Sequence, residues 1–322
     1  MPEMPDIEAY LEALRPRVQG TTLLGVRLKS AFLVRTFDPP LAALTGGQVE
    51  GVSRLGKRVV FEVVPSATGP AGCAGPARPA GPGGPVGSSA SWFLVLHLMV
   101  AGRLHWKAAG AAVPRGSGLA AFDFAEGTLI LTEAGKKRRA SLHLVTSGEA
   151  LGEFDPGGLE VFDSGPAEFG AVLRRENHTL KRALTDPRIV SGIGNAYSDE
   201  ILHRACLSPF KLTQALSSDD LDRLHQASVM VLREWTERLK AKAREGFPEK
   251  VTAFRPEMAV HGRFGAACPV CGTAVQRIVY ADNECDYCPG CQTEGRVLAD
   301  RSLSRLLRDD WPRHVAGREG LD

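Results

Sequence analysis

Four of the seven cysteines are spaced for a metal: Cys268-Pro-Val-Cys271, then sixteen residues, then Cys288-Pro-Gly-Cys291. Each pair forms a turn that aims two thiolates inward, and a hairpin between the pairs brings four sulfurs to one tetrahedral point, the donor set of a structural zinc ion. The alternatives are a disulfide pair or four unrelated buried thiols, and paired CxxC knuckles suit zinc better than either. Cys285 lies just before the second knuckle, but only Cys288 completes a CxxC, so Cys285 is left out of the ligand set. A closed four-thiolate site is a staple, and catalysis must be sought elsewhere.

The opposite end of the chain offers a nucleophile. It begins Met1-Pro2-Glu3-Met4-Pro5-Asp6, and a small second residue favours removal of the initiator methionine. Pro2 would then carry a free secondary amine. Such an amine attacks an electrophilic carbon to give a permanently charged iminium, a good electron sink for elimination, with Glu3 as the adjacent proton-transfer group. Pro2 as an ordinary helix start is the competing reading, and the dipeptide alone does not choose. A third candidate is Ser191-Gly-Ile-Gly-Asn195-Ala-Tyr-Ser-Asp199-Glu200. Two glycines permit close backbone approach, and the following helix start, with its Asn side chain, suits a phosphate. A glycine-bearing interhelical turn is the plain alternative. Two basic clusters, Arg54-Leu-Gly-Lys57-Arg58 and Lys136-Lys137-Arg138-Arg139, are each either a solvated face or part of a groove for a polyanionic backbone.

The elements that must position these residues change character along the chain. With 322 residues, 43% of them hydrophobic, there is enough chain for two domains plus a ribbon. The net charge of +2 requires any affinity for a polyanion to come from local patches. No apolar run is long enough to span a bilayer and no leader opens the chain, so a soluble intracellular protein with reduced thiols is expected. Ile7, Leu11, Leu14 and Val18 recur at helical spacing after Pro5. Strand patterns follow over Leu23–Leu28, Arg58–Val64, Phe93–Leu98, Ala120–Phe124, Thr128–Thr132 and Ser141–Val145, as in an antiparallel sandwich or flattened barrel. A Gly/Pro/Ala tract over 66–91 reads as a disordered insertion between neighbouring strands. From Asp155 the pattern turns helical, over Ala167–Arg175, Leu180–Thr185, Ala196–Ala205 and Ser218–Ala243.

Taken in order, the PE-x-P start, the strand region with its GK turn, the GIGN-x-Y-x-DE segment and the ribbon resemble the formamidopyrimidine-DNA glycosylase / endonuclease VIII (Fpg/Nei) family of DNA repair enzymes, over nearly the whole chain. The resemblance implies an α+β fold: a catalytic β-sandwich domain with an N-terminal helix (1–150), a helix–two-turn–helix domain (151–250), a four-cysteine zinc ribbon (251–297) and an arginine-rich tail (298–322). Position by position it implies Pro2 as the nucleophile at C1′ of a damaged nucleoside, Glu3 as the acid at the sugar ring, and Lys57, Lys181 and Asn195 as phosphate contacts. One structural zinc on Cys268, Cys271, Cys288 and Cys291 follows, with damaged DNA as partner. So do a bifunctional glycosylase and abasic-site lyase acting by β or β,δ elimination, a monomer, no membrane, and a cytoplasmic or, in a bacterium, nucleoid-associated location.

Three positions depart from the family pattern. Asn283 stands where a finger arginine is usual, among Asp282, Glu284 and Asp286, which would repel a phosphate. The HLGM strand is His97-Leu98-Met99-Val100, with Met99 displaced by one place. The RRFG segment is Arg138-Arg139-Ala140-Ser141, which keeps the arginines for the DNA and lacks the aromatic wedge. These departures imply altered lesion choice, with single-stranded or distorted DNA as a substrate. The alternative is a relative of reduced catalytic power that binds lesions or abasic sites.

Overall fold

The computed structural model describes residues 1–66, 91–135, 137–280 and 283–298. In chain order the elements are α1 (Met4–Val18), β1 (Gly25–Leu28), β2 (Gln48–Leu55), β3 (Arg58–Val64), β4 (Trp92–His97), β5 (Gly102–Lys107), β6 (Gly118–Asp123), β7 (Thr128–Glu133), β8 (Ser141–Val145), α2 (Gly148–Gly152), α3 (Pro166–Leu173), α4 (Leu180–Thr185), α5 (Asn195–Arg204), α6 (Ser218–Glu245), β9 (Gln276–Tyr280), β10 (Asn283–Tyr287) and α7 (Pro289–Gln292). They form two compact units, one of residues 1–156 with 236–251, the other of 157–235 with the chain from 252 onward. Among the described residues no helix is long and apolar enough to cross a membrane.

The first unit holds two four-stranded antiparallel sheets, ordered β1-β6-β7-β5 and β2-β3-β4-β8. Val59, Phe61 and Val63 share one face of β3 by strand periodicity, and the register sets Val59 opposite Leu96 and Phe61 opposite Leu94. With Leu142 and Leu144 of β8, Leu129 and Leu131 of β7, and Ile7, Leu11 and Leu14 of α1, they make one continuous apolar core. Helical spacing places those α1 residues on a single stripe, which is why the short N-terminal helix is held against the sheets. The far end of α6 covers a second α1 stripe, with Ala9 and Ala13 against Leu239 and Ala243.

Two strands escape the sequence reading, β2 and β5, and both are edge strands. The register of β2 shifts between Val49 and Gly51, which interrupts its alternation. β5 reads Gly-Arg-Leu-His-Trp-Lys, polar as exposed edges tend to be. β3 and β4 pair antiparallel, Val63 opposite Trp92. The insertion expected between them lies outside the described residues except for Ser66 and Ser91, and so does the tail beyond Leu298.

The second unit gathers α3, α4, α5 and the first part of α6 around Phe169, Leu173, Leu184, Ile201, Leu224 and Leu232, all fully buried or nearly so. It also contains the β9–β10 hairpin, paired from Tyr280 opposite Asn283 to Gln276 opposite Tyr287. The chain passes between units at 156/157 and 251/252, near the boundaries drawn at 150 and 250, and again at 235/236 within α6. That third passage has no linker composition to betray it, because an uninterrupted helix makes it.

The turn from β4 to β5 is tight enough to specify its glycine. A Cβ on Gly102 would stand 2.2 Å from the Leu98 carbonyl oxygen. Gly102→Ala therefore forces the backbone to move and is expected to cost about 1–3 kcal/mol, read as a lower urea midpoint at unchanged slope.

Candidate catalytic and metal sites

Glu3 is the N-cap of α1. Its backbone N–H donates to Asp6 Oδ2 at 2.9 Å, and its carboxylate accepts the Asp6 N–H in return. This reciprocal cap fixes the Glu3 carboxylate at the positive end of the helix. Pro2 directly precedes it and is buried, whereas Met1 is 36% exposed. Burial lowers the pKa of the Met1 amine below its ordinary 8.0, Glu3 opposes, and Arg103 and Lys57 lower it further. An amine at this end of the chain is thus biased toward its neutral, nucleophilic form.

Lys57 comes from the two-residue turn Gly56-Lys57 between β2 and β3, where Gly56 has φ of 59°. Arg54 straps that turn to α1, donating to the Gly56 carbonyl at 3.0 Å and to Glu8 at 3.2 Å. Burial pulls the Lys57 ammonium below its usual value, and the Glu3 carboxylate partly offsets it. Pro2, Glu3 and Lys57 therefore share one neighbourhood of the first unit. Sequence reasoning missed two residues there. Arg103 reaches the Val251 carbonyl at 2.6 Å. His97, opposite Arg58, is driven to about 4 by burial and then by Arg58, Lys57 and His143, so its ring stays neutral beside the cations.

Arg138 and Arg139 are exposed on the loop before β8. Arg138 donates to the Gly116 carbonyl. The loop backbone is gathered by Glu133, 2% exposed, whose carboxylate accepts the Arg139 N–H at 2.9 Å and the Ala140 N–H at 3.0 Å. Ala140 is buried, so its position offers no projecting wedge. Met99 does not lie on either face of a strand: β4 ends at His97, and Met99 occupies the following turn with φ of 52°. Strand alternation therefore assigns Met99 to no face.

In the second unit, Gly192 has φ of 78°, buried Ile193 follows, and Asn195 opens α5. Lys181 Nζ donates to the Asn195 carbonyl at 2.7 Å, Ser198 Oγ at 2.9 Å and Asp199 Oδ1 at 2.6 Å, which occupies all three of its N–H groups. Asp199 Oδ2 meets His261 Nδ1 at 2.8 Å and accepts the Asp286 N–H at 3.2 Å. Asp286 is paired with Arg277 at 2.7 Å and accepts the Gly262 N–H at 2.7 Å, and Glu284 also pairs with Arg277 at 2.7 Å. Arg277 of the facing strand pairs with both Glu284 and Asp286 and offsets one of their two charges, and Asp286 is itself buried. Asp282 lies outside the described residues, as does the side chain of Asn283.

The four knuckle cysteines converge. Cys268 Sγ lies 3.8 Å from Cys291 Sγ, and Cys271 Sγ 3.3 Å from Cys288 Sγ. The first knuckle turns through Gly272, φ 74°, with the Val270 N–H directed at Cys268 Sγ at 3.4 Å. A Cβ at Gly290 would meet Thr273 Oγ1 at 2.6 Å and Cys271 Sγ at 3.0 Å, so the second knuckle closes only on glycine. Without a cation, burial and the neighbouring thiols push Cys288 up to about 12 and raise Cys291 as well. Burial would also raise Cys271, but hydrogen bonds from Thr273 and the other thiols bring it down to about 6. Four sulfurs this close cannot ionise together unless a cation sits among them, and the donor set fits Zn2+. Cys285 is buried apart from them, with Ile278 and Tyr287.

Two predictions come from this geometry. The folded chain keeps His97 neutral down to about 4, whereas the unfolded chain takes up a proton from 6.5. Acid therefore favours unfolding across that window. His97→Gln should flatten the fall in melting temperature between those pH values, and an unchanged curve would exclude His97 as its source. Glu133→Ala leaves two loop N–H groups without their acceptor and is expected to cost about 1–3 kcal/mol, while Glu133→Gln, which keeps one acceptor oxygen, should lose less. Urea unfolding distinguishes the two.

Residues 1–154 match the family model for the formamidopyrimidine-DNA glycosylase N-terminal domain, and residues 160–244 match that for the formamidopyrimidine-DNA glycosylase H2TH domain. An "uncharacterized formamidopyrimidine-DNA glycosylase-like protein" of Mycobacterium tuberculosis is 39% identical over 151 residues, 47% of this chain and 94% of its own. The formamidopyrimidine-DNA glycosylase of Symbiobacterium thermophilum is 28% identical, covering 94% of this chain and 93% of its own. The crystal structure of Lactococcus lactis formamidopyrimidine-DNA glycosylase bound non-covalently to DNA with an AP site superposes with a TM-score of 0.73 over 90% of this chain and 99% of that one, at 24% identity. That likeness is one of fold. Together with the two adjoining domain matches and the relatives, it shows that the chain belongs to the formamidopyrimidine-DNA glycosylase (Fpg/Nei) family.

Proposed function

We propose that the protein is a DNA glycosylase and abasic-site lyase whose nucleophile is the Pro2 amine freed by removal of Met1. The supporting observation is the neighbourhood of the chain start: Pro2 is buried directly before the capped Glu3 carboxylate, the Lys57 ammonium lies in electrostatic reach of that carboxylate, and the Met1 amine just before Pro2 is itself held below its ordinary pKa. The Pro2 nitrogen attacks C1′ of the damaged nucleoside, the bond to the base breaks, and the base leaves with the electron pair. The Glu3 carboxylate takes up the proton released from the Pro2 nitrogen and delivers it to the sugar ring oxygen as the ring opens. The resulting iminium draws off the electrons of the C2′–H bond once that proton is removed, and the 3′ phosphate departs. A target base in a duplex must be extruded first, at a cost of about a few kcal/mol.

Lys57 holds a phosphate beside the lesion in this reading. Asn195 binds another, and Lys181 acts by bracing the Asn195 carbonyl, since its donors already point into the protein. Arg138 and Arg139 add charge for the DNA backbone. Zn2+ on Cys268, Cys271, Cys288 and Cys291 cross-links the ribbon, and Asn283 is the neutral polar candidate for a DNA contact there. The absence of a wedge beside the arginines, where Ala140 is buried, supports action on single-stranded or already distorted DNA, where flipping costs less.

Borohydride trapping on abasic DNA and on a panel of oxidised bases tests the chemistry. A covalent adduct is expected, with Pro2→Ala reducing it at least about a hundredfold, since a positioned nucleophile contributes on that scale or more. No adduct on any substrate would leave a lesion-binding protein instead. Oxidised bases should be cleaved at least as fast in a single strand as in an ordinary duplex, and much faster duplex cleavage would refute that preference. Arg138→Ala and Arg139→Ala should each lower the slope of log affinity against log salt by about 0.9 on duplex DNA.

A further inference from the structure

We propose that His203 is the fifth residue of the metal centre: its Nε2–H donates a hydrogen bond to the Cys268 thiolate and ties α5 to the zinc ribbon. His203 is the penultimate residue of α5 and 5% exposed, and its Nε2 stands 3.3 Å from Cys268 Sγ. Its nitrogen and the sulfurs of Cys268, Cys288 and Cys291 all lie within 4.8 Å of one another. Four thiolates around a divalent cation leave a net charge of −2, and one side of this centre is buried: Cys268 is 3% and Cys288 0% exposed, whereas Cys291 is half-buried and Cys271 exposed. Such a centre needs donors to spread its charge. The Val270 N–H supplies one to Cys268 at 3.4 Å, and the imidazole N–H supplies the other. The role as donor rather than ligand follows from Cys271, which stands 3.3 Å from Cys288 and completes four sulfurs without the histidine. A tetrahedral ion has no fifth place. Because Asn195 opens the helix that carries His203, loss of the metal would loosen the far end of the element holding the phosphate-contact candidate. This inference depends on the metal centre and stands apart from the glycosylase chemistry.

The full-length protein with cobalt(II) or cadmium-113 in place of zinc provides the test. In the wild type a scalar coupling between cadmium and the His203 Nε2 proton is expected. His203→Phe should shift the thiolate-to-cobalt charge-transfer bands to lower energy while four sulfurs remain bound. It should also speed metal release to a chelator about tenfold, the usual scale for losing a residue that supports a ligand. His203→Gln, which keeps an N–H donor, should recover part of both effects. Cadmium coupled directly to the Nε2 nitrogen, with a three-sulfur chemical shift, would make His203 a ligand and overturn the proposal. Unchanged bands and release in His203→Phe would overturn it too, as would identical release from the Phe and Gln variants. Should the Phe variant fail to fold, the wild-type cadmium coupling decides alone: its presence supports the hydrogen bond and its absence refutes it.

Discussion

Two successive carboxylates of α5, Asp199 and Glu200, are buried, and the second unit is arranged to satisfy them. A buried carboxylate is costly by several kcal/mol unless its oxygens are fully partnered. Glu200 is met by three backbone N–H groups, of Ala259, Val260 and His261, at 2.8 to 2.9 Å. Burial pushes its pKa up while those three N–H groups pull it down. Asp199 is met by Lys181, His261 and the Asp286 N–H. These partners cannot drift without leaving a charge stranded. One carboxylate therefore fixes the strand of chain that enters the ribbon, and the other fixes the hairpin and the lysine under Asn195.

In the first unit the corresponding constraint is the chain start. A helix must begin somewhere, and here it begins three residues in, with an acid capping it and a second acid answering. The arrangement holds the terminus in a fixed position at the edge of a core that α1 helps to fill. The same carboxylate that caps the helix is the one the amine and the Lys57 ammonium feel. Helix stability and the readiness of the amine are thus set by shared atoms.

Much of this was legible in the residues, and what was not has physical reasons. Six of the eight sandwich strands, the four longest helices of the second half and the convergence of the four cysteines follow from periodicity and spacing. The edge strands β2 and β5 were not picked out: a register shift interrupts β2, and β5, though it alternates, offers only Leu104 and Trp106 as large apolar residues. Glu133, Arg103 and His203 carry no motif, His97 was noted only as the first letter of one, and each acquires its role only when distant segments meet. The acidic residues of the finger acquired a partner in the same way. Glu284 and Asp286 read as bare charge in a string of letters, while Arg277, nine residues before Asp286, faces them across a hairpin.

α6 gives the molecule a property that its order of domains conceals. Residues 1–156 do not complete their own core: Ala9 and Ala13 are covered by Leu239 and Ala243, Tyr10 meets the Phe247 ring at 5.9 Å, and Arg103 ends on the Val251 carbonyl. The covering residues arrive only after some eighty residues, 157–235, of the other unit have been threaded through. The N-terminal part is therefore not an exchangeable module. Recombination that swapped the helical region at its apparent boundaries would strip the sandwich of its last layer, so the two halves are constrained to be inherited and to change as one block.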